Sequence, residues 1–163
     1  MTAQDLIGML QLVPHPEGGW YREVYRSSEL IPADALPLRY GAPRAFATSI
    51  YFLLEAGQFS AFHRLRSDEL WFHLAGGDLD VHCLTPNGAL ETLRLGPGSL
   101  RWQAVVQQGT WFAALAANDA AFSLAACVVA PGFDFADFEL ADRAQLAAQF
   151  PHHASLIERL TRS

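Results

Sequence analysis

Within GQFSAFHRLRSDELWFHLAGG, residues 57–77, two histidines, a glutamate and a tryptophan stand between glycines at positions that strand alternation can aim at one place. A carboxylate beside two imidazoles suits proton transfer or metal binding, because each group shifts the protonation of the others. With a turn on Arg66, Ser67 and Asp68, Leu65 pairs with Glu69, His63 lies opposite Trp71, and Ala61 lies opposite His73. One hairpin face then carries Phe59, Ala61, His63 and Leu65 from the first strand and Glu69, Trp71 and His73 from the second. Diagonal neighbours on such a face lie roughly 7–8 Å apart at Cα, close enough for long side chains to meet on one small ligand or ion. The opposite face, with Phe62, Leu70 and Phe72, is also apolar, and Glu69 serves equally well as a strand-end acid paired with Arg64 or Arg66. The hairpin alone leaves both readings open.

The elements that must position these residues can be read from hydrophobic period. Helical spacing occurs only at the ends: TAQDLIGMLQL, with Thr2 and Asp5 in capping-box positions, and ADRAQLAAQF followed, after a break at Pro151, by HHASLIERLTR. Between Trp20 and about Pro131 the chain consists of nine short apolar or alternating runs: WYREVYR, AFATSIYFLL, QFSAFHRL, ELWFHLA, DLDVHCLT, ALETLRLG, LRWQAVV, TWFAALA and AFSLAACVV. Turn-forming clusters such as EAGQ, AGGD, TPNG and GPGS separate them at hairpin intervals. An antiparallel sandwich or barrel flanked by terminal helices follows, mainly all-β. SSELIPADALPLRYGAPR reads as a long surface loop placed to cover an edge or reach a partner subunit.

Composition bounds the partners. At 163 residues, 51% apolar, the chain is expected to form a single domain over residues 1–163. Net charge is −6 and the 11 Lys and Arg residues are scattered, so no basic stripe offers itself to nucleic acid. No run approaches the ~18 apolar residues that span a bilayer, and the N-terminus lacks the basic region of a signal peptide, so a cytoplasmic protein without a membrane partner is expected. Cys83 and Cys127 sit in apolar strand-like runs and read as reduced core residues.

The spacing Gly57, five residues, His63, five residues, Glu69, six residues, Gly76 resembles the first motif of the cupin superfamily, in which glycine, His-x-His, glutamate and glycine occupy these places. HPEGGWYREVYRS (15–27), TSIYFLL (48–54), SAFHRLRSDELWFH (60–73), VVQQGTW (105–111) and VVAPGFDFADFEL (128–140) look more closely like the cupin family DUF985, or Cupin-5. The resemblance implies a cupin double-stranded β-helix of jelly-roll type with a small-molecule pocket. It also implies a homodimer, and likeness in fold to deoxysugar epimerases and to auxin-binding and germin proteins. Metal-using cupins hold their ion with two histidines and a glutamate of the first motif and a histidine of the second. Here Leu65 and Phe112 occupy two of those four places, so only His63 and Glu69 stand in ligand register.

Three functions compete on this basis. The first is a metal-independent isomerase or epimerase acting on a sugar-like or other polar carbonyl compound. His63 would be its base, held by Glu69, and Tyr51 its acid, with Ser49, Phe59, Trp71, His73 and Trp111 against the ligand. The second is a cupin oxygenase with a divalent metal on His63, Glu69 and His73. The third is a non-catalytic small-ligand binding module. Arg22 follows the tandem Gly18-Gly19 as a candidate for an anionic group or a surface ion pair. Phe133, Phe135 and Phe138 read as core closure, and His15, His82, His152 and His153 as structural or solvated.

Overall fold

The computed structural model describes residues 1–117 and 119–162. In chain order the strands are β1 Val13–Pro14, β2 Trp20–Arg26, β3 Leu30–Ile31, β4 Arg44–Ala45, β5 Thr48–Glu55, β6 Phe59–Arg64 and β7 Asp68–Gly76. They continue with β8 Leu79–Leu84, β9 Leu90–Leu95, β10 Gln103–Val106, β11 Trp111–Ala116, β12 Phe122–Ala130 and β13 Glu139–Leu140. Helices are α1 Ala3–Leu10, α2 Arg143–Gln149 and α3 Ala154–Arg159. Each of the nine runs read from the sequence contains one of the longer strands, to within one residue at the ends for β5, β7 and β12, and the Thr2–Asp5 capping box closes the start of α1.

Two antiparallel sheets face each other, one in the order β1-β2-β5-β12-β7-β10 and the other β13-β6-β11-β8-β9. Strand alternation divides the apolar residues between the barrel interior and the outside. On β11, Phe112, Ala114 and Ala116 join the central core, while Trp111 and Ala113 face a second cluster with Leu146 of α2 and Ile157 of α3. On β5, Phe52 and Leu54 point inward, whereas Leu53 packs outward beneath Leu6 of α1. The terminal helices therefore cap outer sheet faces and leave the barrel interior to side chains and a cavity.

The expected β6–β7 hairpin does not form. β6 pairs with β11 and β13 in one sheet, and β7 pairs with β12 and β10 in the other. Residues 65–67 carry the chain across the barrel, so Leu65 is not paired with Glu69, nor His63 with Trp71. His63 and Glu69 approach instead from facing sheets. Between Ser60 and His63, β6 carries one residue more than the β11 segment it opposes, which reverses its alternation. This extra residue separates Phe59 from the face that bears His63.

The loop after β12 closes one end of the barrel through a buried ion pair. Arg44 Nε and Nη2 donate to Asp137 Oδ2 and Oδ1 at 2.6 and 2.7 Å, and Arg44 also donates to the carbonyls of Tyr40, Ala42 and Pro43. The proline-rich stretch read as a surface loop thus carries a buried arginine that anchors the segment around Phe135 and Phe138.

Candidate functional site

At that end lies a cavity of about 440 Å³. Its inner wall carries His15, Glu17, His63, Glu69 and Cys127, and Phe138 and Leu65 add apolar surface. Exposed Glu23, Arg26, Asp134 and Phe135 form the mouth.

Glu17 is the residue that sequence reasoning missed, and the glycines behind it place it. A Cβ on Gly18 would collide with the Phe59 carbonyl and the Arg162 guanidinium, and one on Gly19 would sit 2.8 Å from the Leu53 carbonyl. Both glycines hold positive φ, 113° and 73°. The turn therefore lies tight across β6 and β5. Its Glu17 carbonyl accepts from Ala61 N–H at 2.9 Å and from Arg162, which drives the Glu17 side chain inward. Gly18→Ala is expected to cost on the order of 2 kcal/mol or more, read as a lower melting temperature; an unchanged melt would contradict this packing.

Hydrogen bonds assign the tautomers. His63 Nδ1–H donates to Ala61 O at 2.7 Å, which leaves Nε2 as the acceptor facing Glu17 Oε2 at 3.2 Å. His15 Nδ1 accepts from Glu17 N–H at 3.2 Å and stands 3.6 Å from the same Glu17 oxygen. The proton between Glu17 and His63 then resides on the carboxyl, as burial demands: desolvation pushes Glu17 up to about 8 and His63 down to about 4. Burial likewise raises Glu69 to about 8, with the nearby Glu17 charge adding to the effect. His15 falls to about 4 through burial and the neighbouring His63. Glu69 Oε2 is buried without a hydrogen-bond partner.

These shifts have a consequence for stability. Glu17 and Glu69 move from 4.5 to about 8 on folding, so their contribution is complete below 4.5 and lost as pH rises through about 8. His15 and His63 move from 6.5 to about 4; their contribution is present above 6.5 and lost as pH falls through about 4. The two pairs oppose each other at intermediate pH, and above 6.5 only the carboxyls remain to titrate toward about 8. Stability should therefore fall over that upper range by a few kcal/mol in chemical denaturation. A Glu17→Gln/Glu69→Gln double variant should be flat there, and a wild-type curve rising over the same range would contradict the assignment.

The other expected site residues lie elsewhere. Tyr51 and Ser49 alternate out of phase with cavity-lining Thr48 and Ile50, so they occupy the outer face of the six-stranded sheet, where Tyr51 packs in the cluster beneath α1. Phe59 and Trp111 belong to the cluster beneath α2 and α3, stacked under Arg162 and Arg64. Trp71 is a core residue with edge contacts to Phe52 and Phe112. His73 shares the inward face of β7 with Glu69, but four residues of strand separate them by about 13 Å, and its Nε2 bonds the Gly77 carbonyl at 2.9 Å. Arg22 donates to the Leu10 carbonyl. His15, read as structural or solvated, lines the cavity, as do Phe133, Phe135 and Phe138, which were read only as closure.

The donor set does not fit a cupin metal. Leu65 and Phe112 are apolar, His73 is remote, and both ring nitrogens of His63 are engaged. Among the described residues no group of three or more His, Cys, Asp or Glu is placed to hold an ion.

A small antiparallel barrel with a cavity between its sheets, entered at one end, is the architecture of the cupins. The chain belongs to the Cupin superfamily family DUF985, whose model matches residues 4–141. A crystal structure of a Shewanella oneidensis protein is 39% identical, with 99% of this chain and 98% of that one covered and a TM-score of 0.88. A hypothetical protein from Leishmania major is 35% identical over the whole of both chains, with a TM-score of 0.90. Oxalate decarboxylase from Bacillus subtilis shares the fold at 17% identity and a TM-score of 0.56, covering 90% of this chain and 36% of that one. No curated protein matches the chain. No helix among the described residues is long and apolar enough to cross a membrane.

Proposed function

We propose that the cavity is a metal-independent proton-transfer site, and that the protein isomerises or epimerises a small, sugar-like or otherwise polar carbonyl compound. The observation that carries this reading is the placement of Glu17, whose Oε2 lies 3.2 Å from His63 Nε2, across the cavity from Glu69, whose Oε2 is buried without a hydrogen-bond partner. Two carboxyls that burial holds near pH 8 and that repel each other's charge are suited to a state in which one is ionised and the other protonated.

Glu69, as carboxylate, takes the proton from the carbon next to the carbonyl. Glu17 donates its own proton to the resulting enolate from the facing sheet. His63 positions Glu17 through Nε2, and the cycle closes when the proton taken by Glu69 leaves to solvent and Glu17 is reprotonated from solvent, the exchange that D2O reads. The division of labour thus differs from the sequence expectation, in which His63 was the base and Glu69 its support.

The test is solvent exchange. Aldoses and ketoses incubated with the protein in D2O should acquire deuterium next to the carbonyl, at a rate that peaks near pH 8. Exchange that survives undiminished in Glu69→Gln would refute the assignment.

A further inference from the structure

We infer that the molecule this cavity receives carries a positive charge, an amine or ammonium group, on the polar compound named above; the inference rests on that reading only in placing the ligand in the same cavity. The argument is one of charge and partners. Four carboxyl groups line the space: Glu17 and Glu69 inside, which a bound cation would favour in their ionised form, and Glu23, paired with the one lining arginine, and Asp134 at the mouth. That arginine is not free for an anion: Arg26 Nε and Nη2 donate to Glu23 at 2.9 and 2.7 Å, and its Nη1 donates to the Phe133 carbonyl at 3.0 Å. His15 and His63 present unprotonated nitrogens to Glu17 and add no charge. Among the described residues that line the cavity, a phosphate or carboxylate would therefore meet no unpaired cation.

A cation meets the opposite situation. Glu69 Oε2 is an acceptor with no partner, in a side chain that is 7% exposed and lines the cavity. An unmatched buried oxygen of this kind costs free energy that a donor on the ligand recovers. Tyr21, Phe135 and Phe138 add aromatic surface, which favours ammonium groups once they leave water. The arriving charge also makes chemistry possible, since a cation beside the two carboxyls favours the ionised form that burial suppresses. The ligand would then help turn Glu69 into a base.

Isosteric pairs separate charge from shape. Choline against 3,3-dimethylbutan-1-ol, and ethanolammonium against ethylene glycol, are titrated into the full chain and followed through the methyl resonances of Ile50, Leu65 and Val129, which line the cavity. Each ammonium member should bind about tenfold or more tightly than its neutral counterpart, and the preference should shrink in Glu69→Gln and in Glu17→Gln, each with a melt at neutral pH no lower than that of the wild type. Equal or reversed preference, no shift with either ammonium probe, or a preference indifferent to both substitutions would overturn the inference. Deuterium exchange is read separately: exchange without cation preference removes only this inference, and cation preference without exchange removes only the proposed reaction.

Discussion

Glu69→Gln should lower deuterium exchange by about a thousandfold, within the 10²–10⁴ range typical of a single general acid or base, while raising rather than lowering the melting temperature at pH 7. The second half of the expectation distinguishes chemistry from structure. Glu69 is protonated in the folded protein up to about 8 but ionises above 4.5 in the unfolded chain, so wild type carries a protonation cost at pH 7 that a neutral glutamine amide lacks. That advantage should grow as pH rises from about 4.5 and level off above about 8, where wild type instead has a buried charge to accommodate. Glu17→Gln should show the same pattern. His63→Gln should instead change the pH profile of exchange, because His63 acts through Glu17 and touches no reacting atom. A His63 variant with the wild-type profile would assign it a packing role only.

The second large effect concerns the segment that closes the cavity. Asp137→Ala should destabilise the protein by about 3–5 kcal/mol, since it leaves Arg44 buried without its carboxylate. Arg66 stands 3.7 Å from Asp137 but is half exposed, so its own loss of a partner matters little. The double variant Asp137→Ala/Arg44→Met should recover much of the loss, because it removes the uncompensated charge as well as the pair. The measurement is a double-mutant cycle in urea. Additive losses would show that Arg44 and Asp137 do not act as a unit. Ligand binding should weaken in Asp137→Ala even where the fold survives, because Phe135 and Phe138, on either side of Asp137, line the cavity.

Strand alternation and turn chemistry were legible because they are local. The nine long strands, the terminal helices and the Thr2 cap each depend on residues within a few positions of one another. Pairing was not local, and the error over β6 and β7 shows why. A short connection between two strands fits a hairpin or a crossing between sheets, and choosing between them requires β11, β12 and β10 as the actual partners. That choice set His63 on the sheet facing Glu69 rather than beside it, while the extra residue in β6 placed Phe59 behind the site.

Glu17 stood within HPEGGW, and its tandem glycines marked a tight turn, but nothing in that turn says which strand it crosses. Only the approach of Gly18 to Phe59 and Arg162, residues distant in sequence, aims Glu17 at His63. The amino-acid sequence by itself determined the element order, the cupin family and the presence of His63 and Glu69 in its motif. The tertiary structure decided that the two face each other across a cavity, that Glu17 rather than Glu69 partners His63, and where the protons reside. Periodicity records which face of a strand a residue occupies, whereas partnership and protonation depend on distances and burial that arise only when sheets from remote parts of the chain close around them.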